Sequence, residues 1–286
     1  MENILELRNV TKEYKNFTLD HVSFALPQGM IMGFVGENGA GKTTTIKTIL
    51  DVVKKTSGEI YLFGQPIEQD SLQMHEDIAV VYDDCSISSF FKIKDVERMF
   101  KSFYKNWDTA KFNTLTERFE LPRDKKISAF SRGMKMKLQL AIALAHNPKL
   151  LLLDEPTSGL DPIIRDEVLD MFLEFIQDET HSILFSSHIT SDIEKIADYV
   201  TFIHKGKIIF CENKDDLLSH TGLLKVKPAI FEQLDHDSCI RYRKTLDHYE
   251  VLIKDRYAFQ KKMPDAVIDR VTLDDIMLMY VKGETL

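Results

Sequence analysis

The segment Gly36-Glu37-Asn38-Gly39-Ala40-Gly41-Lys42-Thr43-Thr44 has the spacing G-x-x-x-x-G-K-[ST], and phosphate chemistry follows from its residue types. Glycines at those positions let a loop fold back and aim successive backbone N–H groups inward, a cradle for phosphate oxygens. The N-terminus of a helix opening at Lys42 adds partial positive charge. Lys42 would bridge the β- and γ-phosphates, and the Thr43 hydroxyl would ligate Mg2+. Far along the chain, Leu150-Leu151-Leu152-Leu153 ends in Asp154-Glu155. A buried strand carrying these carboxylates to a sheet edge would set Asp154 in the metal shell. Glu155 would then face an attacking water as general base or positioner.

The elements that must hold these groups are legible as patterns. Met30-Ile31-Met32-Gly33-Phe34-Val35 is a nearly continuous apolar run, as a buried parallel strand requires, and it leads directly into the glycine loop. Residues 4–14 and 17–26 alternate, which predicts two antiparallel strands, and 60–63 and 78–82 predict two more. From about 89 to 146 the period becomes helical, with Val96, Met99, Phe100 and Phe103 on one face, then Phe112, Leu115 and Phe119. Strand signals return at 150–153, 182–185 and 199–203. The expectation is an α/β cassette over residues 1–217, with a helical insert at about 89–146, followed by a small α+β extension at 218–286. In the extension, 239–243 and 249–253 predict a hairpin, 266–268 a last strand and 273–281 a helix.

Further motifs follow in order, and together they resemble the nucleotide-binding subunit of ABC transporters. Tyr14 lies where that family stacks an aromatic on adenine. Phe130-Ser131-Arg132-Gly133-Met134 occupies the place of the family signature L-S-G-G-Q. Ser158-Gly159-Leu160-Asp161 resembles the D-loop, and Ser187-His188 resembles the switch histidine. The resemblance implies a P-loop NTPase fold with a RecA-like core and an antiparallel β-subdomain, binding ATP and Mg2+. It implies head-to-tail pairing, with Ser131 and the Gly133 N–H reaching the γ-phosphate of ATP held on the second subunit's phosphate loop, and with Asp161 among the nucleotide-binding set. His188 would position the water together with Glu155.

Two departures from the family pattern stand out. Arg132 replaces the first signature glycine, and Met134 replaces the final glutamine. Where the family has its Q-loop glutamine, after the strand 78–81, the candidate is Asp83, with Asp84 adjacent. A carboxylate there can still ligate Mg2+, directly or through water, but it adds negative charge beside the triphosphate.

Composition bounds the partners. The chain has 286 residues with 29% charged and a formal net charge of −8, a poor basis for neutralising nucleic-acid phosphates, so no nucleic acid is expected. No run of 18 apolar residues exists to span a bilayer. The acidic, alternating start is unlike a signal peptide, and three distant cysteines suggest neither disulfides nor zinc. The expected setting is cytoplasmic and peripheral on the inner face of the membrane. The expected partners are a separately encoded transmembrane permease and a second ATPase subunit, identical or related. Phe90 and Phe91 are adjacent, so on a helix they cannot both face one core, and one is available to a partner. The tail resembles extensions of exporter-type subunits. A soluble regulatory ATPase, or a nucleotide sensor uncoupled from transport, is the alternative reading.

Overall fold

Chain segments that are apolar throughout become strands buried on both faces, and alternating segments become strands buried on one. In the computed structural model, which describes residues 2–67 and 76–285, the first ten strands are β1 (Asn3–Glu13), β2 (Thr18–Pro27), β3 (Ile31–Val35), β4 (Ser57–Leu62), β5 (Gln65–Pro66), β6 (Ile78–Tyr82), β7 (Leu150–Asp154), β8 (Ser182–Ser187), β9 (Tyr199–His204) and β10 (Lys207–Asn213). They form a four-stranded sheet ordered β2-β1-β4-β5 and a six-stranded sheet ordered β10-β9-β3-β8-β7-β6. In the first sheet β1 pairs antiparallel with β2 and β4. In the second, β3, β6, β7, β8 and β9 run parallel.

Every residue of β3, β7 and β8 is buried. Truncating a fully buried leucine such as Leu152 to alanine costs about 2–5 kcal/mol in such a core. Parallel pairing also aligns the C-terminal ends of these strands, and loops leaving those ends build sites in open α/β sheets. The phosphate loop leaves β3, the Asp154-Glu155 pair lies at the end of β7, and Ser187-His188 lies at the end of β8.

Between β6 and β7 lie the helices Ile93–Phe103, Thr109–Arg118 and Arg132–Ala145. The first buries Ile93 and Val96. Phe103, expected on the same face as Val96, is instead exposed: the helix ends there, and the chain turns at Tyr104. The Ser131 hydroxyl caps the helix Arg132–Ala145 by accepting the Met134 N–H at 3.2 Å. Asp161 caps the helix Pro162–Phe175 by accepting two backbone N–H groups, with Pro162 at its first position.

The chain separates into two compact units, Met1–Cys211 and Glu212–Leu286, with the boundary ahead of the one expected after residue 217. The second unit has strands β11 (Gly222–Val226), β12 (Cys239–Lys244), β13 (Tyr249–Ile253) and β14 (Ile268–Arg270) in the order β12-β13-β11-β14. β12 and β13 pair antiparallel, as the hairpin pattern predicted. The central strand β11 was not predicted, because Gly222-Leu223-Leu224-Lys225-Val226 is too short to separate strand from helix by period. β14 begins at Ile268, later than the strand expected at 266–268.

Candidate functional site

Gly36 can only be glycine: a methyl group there would stand 2.4 Å from the Ile203 carbonyl oxygen. Gly41, just before the helix Lys42–Ile49, has φ of 120°, a backbone conformation that side chains rarely adopt. Between them Asn38 and Gly39 face solvent, while Ala40 is buried and its carbonyl accepts the Gly206 N–H at 2.9 Å. Lys42 is almost fully buried. Its ammonium donates to the Gly36 carbonyl at 2.7 Å and to Glu37's at 3.3 Å. A cavity of about 400 Å³ opens along this loop, lined also by Thr43, Thr44, Phe17 and Glu155.

Asp154 is buried, and both its oxygens are engaged by hydroxyls. Thr43 Oγ1 donates to Oδ2 at 2.7 Å, and Ser186 Oγ donates to Oδ1 at 2.7 Å. A hydroxyl and a carboxylate in contact form a hard oxygen donor set, which suits Mg2+. Glu155 takes the left-handed backbone conformation, φ 53°, at a cost of about 1–3 kcal/mol for a non-glycine residue. Ser186 holds it there, since the Glu155 N–H donates to both the carbonyl and the hydroxyl of Ser186, each at 3.1 Å.

The carboxylate of Glu155 is thereby set between two partners. Its Oε2 lies 2.6 Å from His188 Nδ1, and its Oε1 lies 3.1 Å from Lys42 Nζ. Oε1 is buried and accepts no aligned hydrogen bond among the described residues. An acceptor in that state can take the proton of a water brought against it.

The remaining candidates sit further out. Tyr14 is exposed, 6.4 Å from the Phe17 ring, and it is Phe17 that lines the cavity beside the phosphate loop. Ser131 and Gly133 lie at the start of the helix Arg132–Ala145, and Asp161 at the start of the next helix in sequence. Asp83, expected as a metal ligand, does not join Thr43 and Asp154: its carboxylate is paired with the Arg132 guanidinium. The oppositely charged fork of Arg132 captures the carboxylate, so the two departures from the family pattern meet each other.

Several working groups went unmarked by sequence reasoning. Ser186 is one; the signal available was a hydroxyl residue at the end of an otherwise apolar strand paired in register with Asp154. Another is Asp192, buried, which accepts from Thr157 Oγ1 at 2.6 Å and from Arg165 Nε at 2.5 Å. It ties the loop after Glu155 to the helix after His188.

A phosphate loop opening a helix, with a hydroxyl–carboxylate pair and a glutamate–histidine pair at adjacent strand ends, defines an ATPase cassette. Residues 19–158 match the ABC transporter family. The chain is 30% identical to an uncharacterized ABC transporter ATP-binding protein, YhcH, of Bacillus subtilis, over 99% of this chain and 92% of that protein. It is 35% identical to the bacitracin transport ATP-binding protein BcrA of Bacillus licheniformis, over 73% of this chain and 69% of that one. A solved ATP-binding subunit of an ABC transporter superposes with a TM-score of 0.68 at 25% identity, covering 75% of this chain and 91% of that one. The chain belongs to the ABC transporter ATP-binding proteins. It binds nucleotide and hydrolyses ATP, and no helix among the described residues is long and apolar enough to cross a membrane.

Proposed function

We propose that the chain hydrolyses Mg·ATP as the motor subunit of an exporter whose membrane-spanning part is a separate protein. The observation that carries the hydrolytic half is the Glu155 carboxylate, fixed between Lys42 and His188 with no aligned hydrogen bond on Oε1 among the described residues. Lys42 gives up its contacts with Gly36 and Glu155 for phosphate oxygens, since a more highly charged acceptor competes successfully for a buried ammonium. The backbone N–H groups of the loop and the helix start at Lys42 take the remaining phosphate charge. Mg2+, when bound, neutralises phosphate charge, and Thr43 and Asp154 would hold it. Glu155 Oε1 accepts the proton of the attacking water, while His188 fixes Oε2 and shares the charge that develops.

The transport half rests on the bacitracin transport relative, on the absence of a spanning helix among the described residues, and on Phe90. Phe90 is 76% exposed, with the Lys126 ammonium 5.8 Å from its ring centroid, whereas Phe91 is half-buried. An aromatic offered to solvent at the head of the helical insert suits a docking helix of a membrane partner. In this reading two ATPase subunits, identical or related, close over ATP with Ser131 and Gly133 of one facing the nucleotide of the other, and Asp161 lies at the same closure. Tyr14 and Phe17 border the adenine side. The setting is the cytoplasmic face of the membrane.

Detergent extracts of native cells test the coupling: the chain should co-purify with a multi-spanning membrane protein that raises or restrains its ATPase rate. A chain recovered wholly free of membrane protein and sedimenting with ribosomes would overturn the exporter reading.

A further inference from the structure

Three carboxylates collect where the sheet ends. β6 and β7 pair in register up to Tyr82 opposite Asp154, so Asp83 and Glu155 are the first residues after the two strands. Asp154 is satisfied by two hydroxyls, and Glu155 has Lys42 and His188. Asp83 has Arg132, which reaches it from the start of the helix Arg132–Ala145. That helix is tied to the same place a second time, because Gln139 Nε2 donates to the Tyr82 carbonyl at 3.2 Å. The Arg132 side chain also covers Gly159, in the loop that follows Glu155. A methyl group on Gly159 would lie 2.9 Å from the guanidinium carbon. Gly159 has φ of 63°, so that turn is both glycine-dependent and capped by the arginine.

We propose that Arg132 is a positioning residue for Glu155: its guanidinium pairs with Asp83 after β6 and lies across Gly159 after β7, bracing the two loops together. The proposal rests on Glu155 as the hydrolytic base. The guanidinium fixes the turn that begins at Glu155 from the outside, while Ser186 and Asp192 fix it from the inside. Arg132 and Asp83 are close to half exposed, at 49% and 44%, and exposed ion pairs add little to global stability. The pair therefore acts on local geometry, and a charge shared between loops can be exchanged when either loop moves.

The test combines hydrogen exchange on the full chain, free of nucleotide and metal, with steady-state hydrolysis. In Arg132→Ala, amides of both 83–85 and 156–161 should exchange about tenfold faster or more, with the melting temperature shifted by less than about 3 °C. Its kcat should fall between about tenfold and a hundredfold, the usual penalty for a slightly misplaced catalytic group, with KM for ATP changed less than threefold. Arg132→Lys should recover part of the rate. Asp83→Asn combined with Arg132→Ala should be no slower than Arg132→Ala alone, because the two residues act as one unit. Unchanged exchange at 156–161 in Arg132→Ala, or losses that multiply in the double variant, would overturn the brace. If Arg132→Ala quickens exchange in both loops while Glu155→Gln hydrolyses normally, the brace stands and the hydrolytic assignment of Glu155 fails.

Discussion

Lys42 Nζ stands 3.1 Å from Glu155 Oε1, so the proposed phosphate-gripping cation and the proposed water-activating carboxylate neutralise each other. Both are largely buried, and neither charge is left alone in the apolar sheet end. In the proposed mechanism triphosphate entry recruits Lys42 and frees one lobe of Glu155 for water, so binding and activation share one ion pair. Lys42→Ala removes the phosphate contact and leaves the mostly buried Glu155 carboxylate with His188 as its remaining partner. Loss of one member of such a pair costs about 2–5 kcal/mol, thirtyfold or more in affinity. Titration with a fluorescent ATP analogue measures it, and retained micromolar affinity would count against the phosphate-loop assignment.

Glu155→Gln keeps the side-chain shape and removes the proton acceptor. Hydrolysis should fall by about 10²–10⁴-fold, the usual worth of a general base. ATP should remain bound and hold two subunits together on a sizing column. Because His188 acts through the same carboxylate, His188→Ala combined with Glu155→Gln should be little slower than Glu155→Gln alone. Normal phosphate release by the glutamine variant would remove Glu155 from the reaction.

Asp154→Asn leaves the two hydroxyl contacts partly intact and deletes the charge between them. The free Mg2+ needed for half-maximal hydrolysis should rise by about 10–100-fold, the usual effect of disturbing a metal's surroundings. Nucleotide binding in EDTA should change little. A metal dependence identical to that of the parent would show that the Thr43–Asp154 pair is not the metal site.

His146 supplies a pH signature remote from the ATP site. It ends the helix Arg132–Ala145, stacks on Tyr104 at 3.9 Å and lies 3.2 Å from the Ile78 carbonyl. Burial holds the imidazole below its ordinary value of 6.5, partly opposed by its backbone hydrogen bonds. The folded chain thus keeps His146 neutral where the unfolded chain would already be protonated. Stability is fully present above about pH 6.5 and declines as pH falls below it, toward the depressed folded value. Thermal melts from pH 7.5 to 5 should show this loss, and His146→Asn should show a shallower decline. Equal slopes would exclude His146 as the source.

The phosphate loop, the acidic end of β7 and the histidine after β8 were readable because each chemistry occupies consecutive residues beside an apolar strand. Their meeting point followed from parallel pairing, which sets strand ends side by side. What stayed hidden was side-chain traffic between segments remote in sequence. Arg132 and Asp83 each looked like an isolated departure, and only the sheet edge joins them. Ser186 lay just past the strand expected at 182–185, and only register sets it opposite Asp154. Tyr14 and Phe17 share one turn, and the sequence does not show that Phe17 is the one lining the cavity beside the phosphate loop. In the second unit, β11 was missed because five residues are too few for their period to separate strand from helix.

The order of strands in the six-stranded sheet also bears on the order of events during synthesis. β3, which launches the phosphate loop, pairs Ile31 with Ile183 on β8 and Met32 with Tyr199 on β9. Neither neighbour exists while the first half of the chain is leaving the ribosome, and such distant pairings form slowly. A nascent or prematurely released fragment lacking β8 and β9 has the complete glycine motif yet no sheet to tension it. The phosphate loop therefore gains the sheet neighbours of its launching strand only once the chain through β9 is available.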